Sequence, residues 1–149
     1  LDLHARGYAP VGYDLSPYMG RIARAKLLRH RLPLRLARGR AQQLPFASAS
    51  FAVVVSTFPT DFIFQPETLH EIYRVLQPEG LLLIVPNGAL TGGSLTGAVL
   101  EGLYRITGQR GGEGFDIHSY LLPFGFAAHL VYETCPRSVA TVIIARKLP

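Results

Sequence analysis

Apolar positions along the chain alternate between strand-like and helix-like spacing. Tyr8 to Asp14 is a short β-type run that ends in an acid. Ser16-Pro17 then signals a helix start, with serine as N-cap and proline in the first turn, where its missing N–H costs nothing. Met19, Ile22, Ala23 and Leu27 recur at helical spacing, the arginines and Lys26 fall mainly on other faces, and Pro33 closes the element. Leu34 to Ala37 predicts a second strand, followed by a loop from Gly39 to Phe46. Phe51 to Ser56 is apolar and β-branched, a pattern that predicts a strand covered on both faces. Pro66 opens a helix with Leu69, Ile72, Tyr73 and Leu76 on its buried face; Pro78-Glu79-Gly80 turns the chain into a buried strand from Leu81 to Val85. Asn87 to Gly97 reads as a loop, Leu95, Val99, Leu103 and Ile106 mark a further helix, and Gln109 to Asp116 is a glycine-rich stretch. Ala127 to Thr134 and Val139 to Ala145 predict a closing antiparallel pair. The alternation predicts an α/β fold: a mostly parallel sheet with helices on both faces and an antiparallel strand pair at the C-terminal end.

Composition narrows the picture. A chain of 149 residues, 48% apolar and 17% charged, has the material for one globular domain, over 1–149. Leu1 to Gly7 reads as the tail of a helix entered halfway, so a piece of a longer polypeptide is expected. The first residues lack a basic cluster followed by an apolar run, and the longest apolar stretch, Leu81 to Pro86, is far below the roughly 20 residues that span a bilayer. These features lead us to expect a soluble, cytoplasmic protein. Cys135 is the single cysteine, which excludes an internal disulfide, and no His/Cys/Asp/Glu cluster has metal-ligand spacing. The net charge of +5 is uneven: residues 1–46 hold nine Lys/Arg against two Asp, a balance of +7. A basic half can bind nucleic acid or be a solvated helix face. Between Arg21 and Arg40 the basic residues are interleaved with Leu and Ala, not with the aromatics that stack bases, which favours the solvated face over nucleic acid.

Four segments, VGYDLSPYMGRIARAKL (11–27), GRAQQLPFASASFAVVVSTF (39–58), LHEIYRVLQPEGLLLIV (69–85) and the closing GF…VATVIIARK (125–147), resemble class I S-adenosylmethionine-dependent methyltransferases of the ubiquinone/menaquinone-biosynthesis type. The resemblance implies a Rossmann-like sheet with S-adenosylmethionine held at the carboxyl ends of the strands. It also implies that the family's first strand and its glycine-rich turn are absent from these residues, leaving strand edges near Tyr13 and Val54 open to self-association. Transfer to a small-molecule acceptor is the activity implied, impaired in this chain; a degenerate scaffold or regulatory protein on the same fold is the alternative.

Carried over residue by residue, the resemblance places Asp14 and Leu15 at the ribose, Arg40, Ala41 and Gln42 beside the adenine, and Ser56, Thr57 and Phe58 near the transferred methyl, where the alternative for these three is an ordinary strand end. Two readings are open at Asp14: its carboxylate accepts the ribose hydroxyls, or it caps the following helix jointly with Ser16. Arg40 departs from the family, which carries an acid there; a guanidinium has only donors and cannot accept from the adenine amine. Ala41 can still supply its backbone N–H. Glu79 stands where the family often has glycine, and Ala52 where it often has aspartate. Asp61 either lines the acceptor pocket or caps the next helix. His118 is either a general base or a structural histidine, and no residue is assigned as catalytic.

Overall fold

In a computed structural model, described over residues 1–86, 88–90, 116–135 and 138–149, the chain divides into two compact units, Leu1–Pro45 and Phe46–Pro149. The first holds helix α1 (Asp2–Ala5), strand β1 (Gly12–Asp14), helix α2 (Pro17–Arg29) and strand β2 (Leu36–Arg38). The strands pair in parallel, Tyr13 opposite Ala37 and Asp14 opposite Arg38. Helix α2 starts as its sequence predicts, with the Ser16 hydroxyl accepting from the Met19 N–H at 3.3 Å and Pro17 in the first turn. It stops four residues before Pro33. Arg31 takes the left-handed conformation (φ 54°), the Leu32 N–H turns back to the Leu27 carbonyl and the Arg31 N–H to that of Leu28. This closes the helix with a Schellman-type cap in which arginine occupies the usual glycine position.

The second unit contains strand β3 (Phe51–Thr57), a 3-10 turn at Asp61–Phe64, helix α3 (Pro66–Val75) and strands β4 (Leu76–Val85) and β5 (Gly88–Leu90). Helix α4 (Ile117–Leu121), a 3-10 turn at Leu122–Phe124, and strands β6 (Phe126–Cys135) and β7 (Ser138–Lys147) are its further described elements. β3 and β4 are parallel. β7 is antiparallel to β4, β5 and β6, so the predicted closing pair is present and locks onto the parallel ladder. The 3.6-residue period of α3 buries Leu69, Ile72 and Val75. With Leu82, Ile84, Phe126, Ile143 and Ala145, all fully enclosed, they form the core; each such side chain contributes roughly 1.5–3 kcal/mol.

The C-terminal end of α3 is held by the last strand. Lys147 Nζ donates to the Tyr73 and Leu76 carbonyls, 2.8 Å each, while lying 4.1 Å above the Tyr73 ring. A cation is thus placed where a helix leaves its carbonyls without intrahelical partners. Tyr73 in turn donates its hydroxyl to the Leu148 carbonyl at 3.1 Å. Gly125 (φ 83°) passes so close to the Tyr73 ring that any Cβ there would collide with it.

Four expectations are corrected. Leu76 and Pro78-Glu79-Gly80, read as helix and turn, belong to β4, whose first residue pairs with Phe51. Val53 and Val55 are 41% and 49% exposed, so β3 is not covered on both faces; β-branched runs mark strand conformation, not the number of covered faces. Gly88–Leu90, read as loop, is a short strand opposite Ser138–Ala140. Asp61 sits in the 3-10 turn and does not cap α3, whose N-cap is Gln65. The predicted helix marked by Leu95, Val99, Leu103 and Ile106, and the glycine-rich stretch before Asp116, lie outside the described residues. Among the described residues no helix is long and apolar enough to cross a membrane, and no group of three or more His, Cys, Asp or Glu could hold a metal ion.

Candidate functional site

Asp14 is the last residue of β1, at that strand's carboxyl end, and is exposed. Its Oδ1 accepts from the Ser16 N–H at 2.7 Å, and Ser16 itself caps α2. The two readings of Asp14 therefore share one geometry: a single carboxylate oxygen stiffens the strand-to-helix turn, and this hydrogen bond fixes the direction of the carboxylate. Leu15 beside it is 55% exposed.

The loop after β2 is fastened to the same strand tip. The Gly39 N–H donates to the Asp14 carbonyl at 3.3 Å, and the Tyr13 hydroxyl donates to the Arg40 carbonyl at 3.0 Å and, more weakly, to that of Gln43 at 3.4 Å. Gly39 is needed there because the Tyr13 phenol occupies the space a Cβ would fill. The structure thus brings Asp14 and Leu15 together with Arg40, Ala41 and Gln42; Ala41 and Gln42 are half-buried and the Arg40 side chain is exposed. Tyr13 escaped the sequence reading as a site-building residue. The available signal was its position one residue before the acid on a three-residue strand, with a glycine at the start of the partner loop.

In the second unit Ser56 and Thr57 end β3, with Thr57 opposite Val85. Phe58 follows with its N–H on the Val85 carbonyl at 2.8 Å, φ 50° and a side chain 68% exposed. A bulky residue in the left-handed region is a true outlier, and such strain concentrates at ligand-binding positions. His118 does not join this group. Its Nδ1 accepts from the Ala128 N–H at 3.3 Å, and Ala128 stands opposite Ala145, which pairs with Leu82, roughly 10 Å of strand away from the Thr57–Val85 end.

The architecture is an open α/β sheet, a class that binds ligands at the carboxyl ends of its strands. A family model described as a methyltransferase domain matches residues 1–84. Because that match covers more than half of the sequence, the chain belongs to this methyltransferase family, of the class I S-adenosylmethionine-dependent type. It is similar to a demethylmenaquinone methyltransferase from Thermus thermophilus, 36% identical over 95 residues, covering 60% of this chain and 43% of that relative. The chain spans less than half the length of the curated relatives it matches. Among solved structures, a SAM-dependent methyltransferase from Methanosarcina mazei matches with a TM-score of 0.63 at 20% identity, covering 99% of this chain and 85% of that one. A Haemonchus contortus phosphoethanolamine N-methyltransferase, in complex with phosphomonomethylethanolamine and S-adenosylhomocysteine, matches with a TM-score of 0.59 at 16% identity, covering 93% of this chain and 43% of that one. Both share the fold.

Proposed function

We propose that this chain carries the nucleoside-binding side of an S-adenosylmethionine-dependent methyltransferase acting on a small-molecule acceptor. The observation that carries the proposal is the Asp14 carboxylate at a strand tip, aimed by the Ser16 N–H and flanked by a loop that Tyr13 fastens in place. An ionised carboxylate with that exposure suits a ribose diol, and the Ala41 backbone N–H offers a donor beside it. The cofactor, when bound, supplies an electrophilic methyl group. The protein's own task is to align it, since transfer to a good nucleophile needs proximity and orientation more than an acid or base. The family resemblance alone assigns Ser56, Thr57 and Phe58 to the methyl end.

One feature favours a second reading, a degenerate scaffold on the same fold that no longer takes the cofactor: Arg40 is an exposed guanidinium at the place where the family carries an acid. Calorimetric titration of S-adenosylhomocysteine into the chain and its Asp14→Asn variant separates the two. A charge-assisted hydrogen bond of about 1.5–3 kcal/mol predicts affinity about ten- to a hundred-fold lower in the variant. Weak binding, above micromolar, is expected of the wild type. Equal affinities would remove Asp14 from the site, and no binding to either would favour the scaffold.

A further inference from the structure

We propose a second binding site, on the sheet of the Phe46–Pro149 unit, for a small organic carboxylate with an apolar body. Leu81, Arg146 and Ala127 stand in one row across β4, β7 and β6, and Ile144 and His129 stand in the next row on the same side. These residues, with His118 from α4, line an open depression of about 400 Å³ on the sheet face.

The polar groups around this apolar floor are all donors or potential cations. The hydrogen bond from the Ala128 N–H occupies the Nδ1 lone pair of His118, so in the neutral ring the proton sits on Nε2, which becomes a donor. Arg146 and His129 lie diagonally across adjacent strands, a spacing of about 7–8 Å, close enough to converge on one anion. The acid in contact with Arg146 is Glu79, at 3.4 Å, with both side chains more than half exposed. Such a long, solvated pair is worth little, and a carboxylate that takes both prongs of the guanidinium replaces it with a better partner. Apolar floor and donor rim together select a carboxylate over an amine or an alcohol. The site is independent of the cofactor reading, because its residues surround Leu81 and not the Thr57–Val85 end of the ladder.

The probe is octanoate, titrated into the full chain by calorimetry and followed by the histidine ring proton resonances. The expected result is a Kd on the order of 1 mM or tighter, with shifts confined to His118 and His129 among the five histidines. Arg146→Gln weakens binding at least tenfold, and octan-1-ol, with the same tail and no charge, binds the wild type at least tenfold more weakly. His129→Gln serves as a second variant if Arg146→Gln does not fold. Equal binding of the alcohol, an unchanged affinity in a folded variant, shifts at other histidines, or no binding of octanoate would each overturn the site. S-adenosylhomocysteine titrations of Arg146→Gln match those of the wild type, which separates this site from the cofactor reading.

Discussion

Among the described residues, four that are not glycine lie in the left-handed region: Arg31, Ala49, Phe58 and Glu79. Each costs on the order of 1–2 kcal/mol relative to the right-handed form. Phe58 is the informative one, since its ring is exposed and no burial offsets the strain. Phe58→Gly relieves that strain and removes an exposed apolar group, so a gain in Tm of about 2–4 °C is expected, diminished by the extra freedom of glycine in the unfolded chain. Phe58→Val, which is β-branched and poorly suited to positive φ, lowers Tm. Paired circular-dichroism melts check this, and a lower Tm for the glycine variant would contradict it. At this scale the acid was legible in the sequence: Asp14 announces itself as the last residue of a β-type run before a Ser-Pro helix start. The strain at Phe58 was not, because a backbone angle leaves no mark on residue type unless glycine or asparagine records it. Tyr13 was equally hidden, since its hydroxyl finds a partner 27 residues away.

Helix α4 spans only Ile117–Leu121, so its ends matter more than its middle. Asp116 accepts from the Ser119 hydroxyl at 2.6 Å and from the His118 and Ser119 N–H groups at 2.9 and 3.2 Å. The Ser119 hydroxyl first, and the His118 N–H next, hold the Asp116 carboxyl below its ordinary value of 3.8. A carboxyl held low in the folded state stabilises above its unfolded value, and that stabilisation is lost as pH falls through the folded value. The Ser119 amide resonance is therefore expected to titrate with a midpoint below 3.8, a transition that Asp116→Ala removes; a midpoint above it would refute the cap. Helices α2 and α3 were readable because proline and periodicity mark them. The extent of α3 depended on a partner the sequence does not place beside it, the Lys147 ammonium on the Tyr73 and Leu76 carbonyls. β5 is three residues long and owes its conformation to the ladder with β7, too short a run for period-2 alternation to show.

Across the molecule, buried side chains are confined to the Phe46–Pro149 unit; the Leu1–Pro45 unit has none. The α/β class and the closing antiparallel pair followed from the alternation of periods, which is a property of whole segments. What alternation could not convey is how many faces each strand covers. Among the described residues β3 pairs only with β4, and it turns Val53 and Val55 outward on the side of Leu81 and Leu83. An apolar edge strand of seven residues is an invitation to pairing with another chain. Sedimentation velocity is expected to show concentration-dependent association that the double variant Val53→Lys, Val55→Lys suppresses. Monomeric sedimentation of the unaltered protein across concentrations would count against the expectation.

The contact of Tyr73 with Gly125, Lys147 and Leu148 works as a clasp. It fastens Lys147 and Leu148 over the rim of a helix more than seventy positions earlier. Truncation before Leu148 would spring the phenol loose, and truncation before Lys147 would also withdraw the ammonium, fraying α3 from its far end inward.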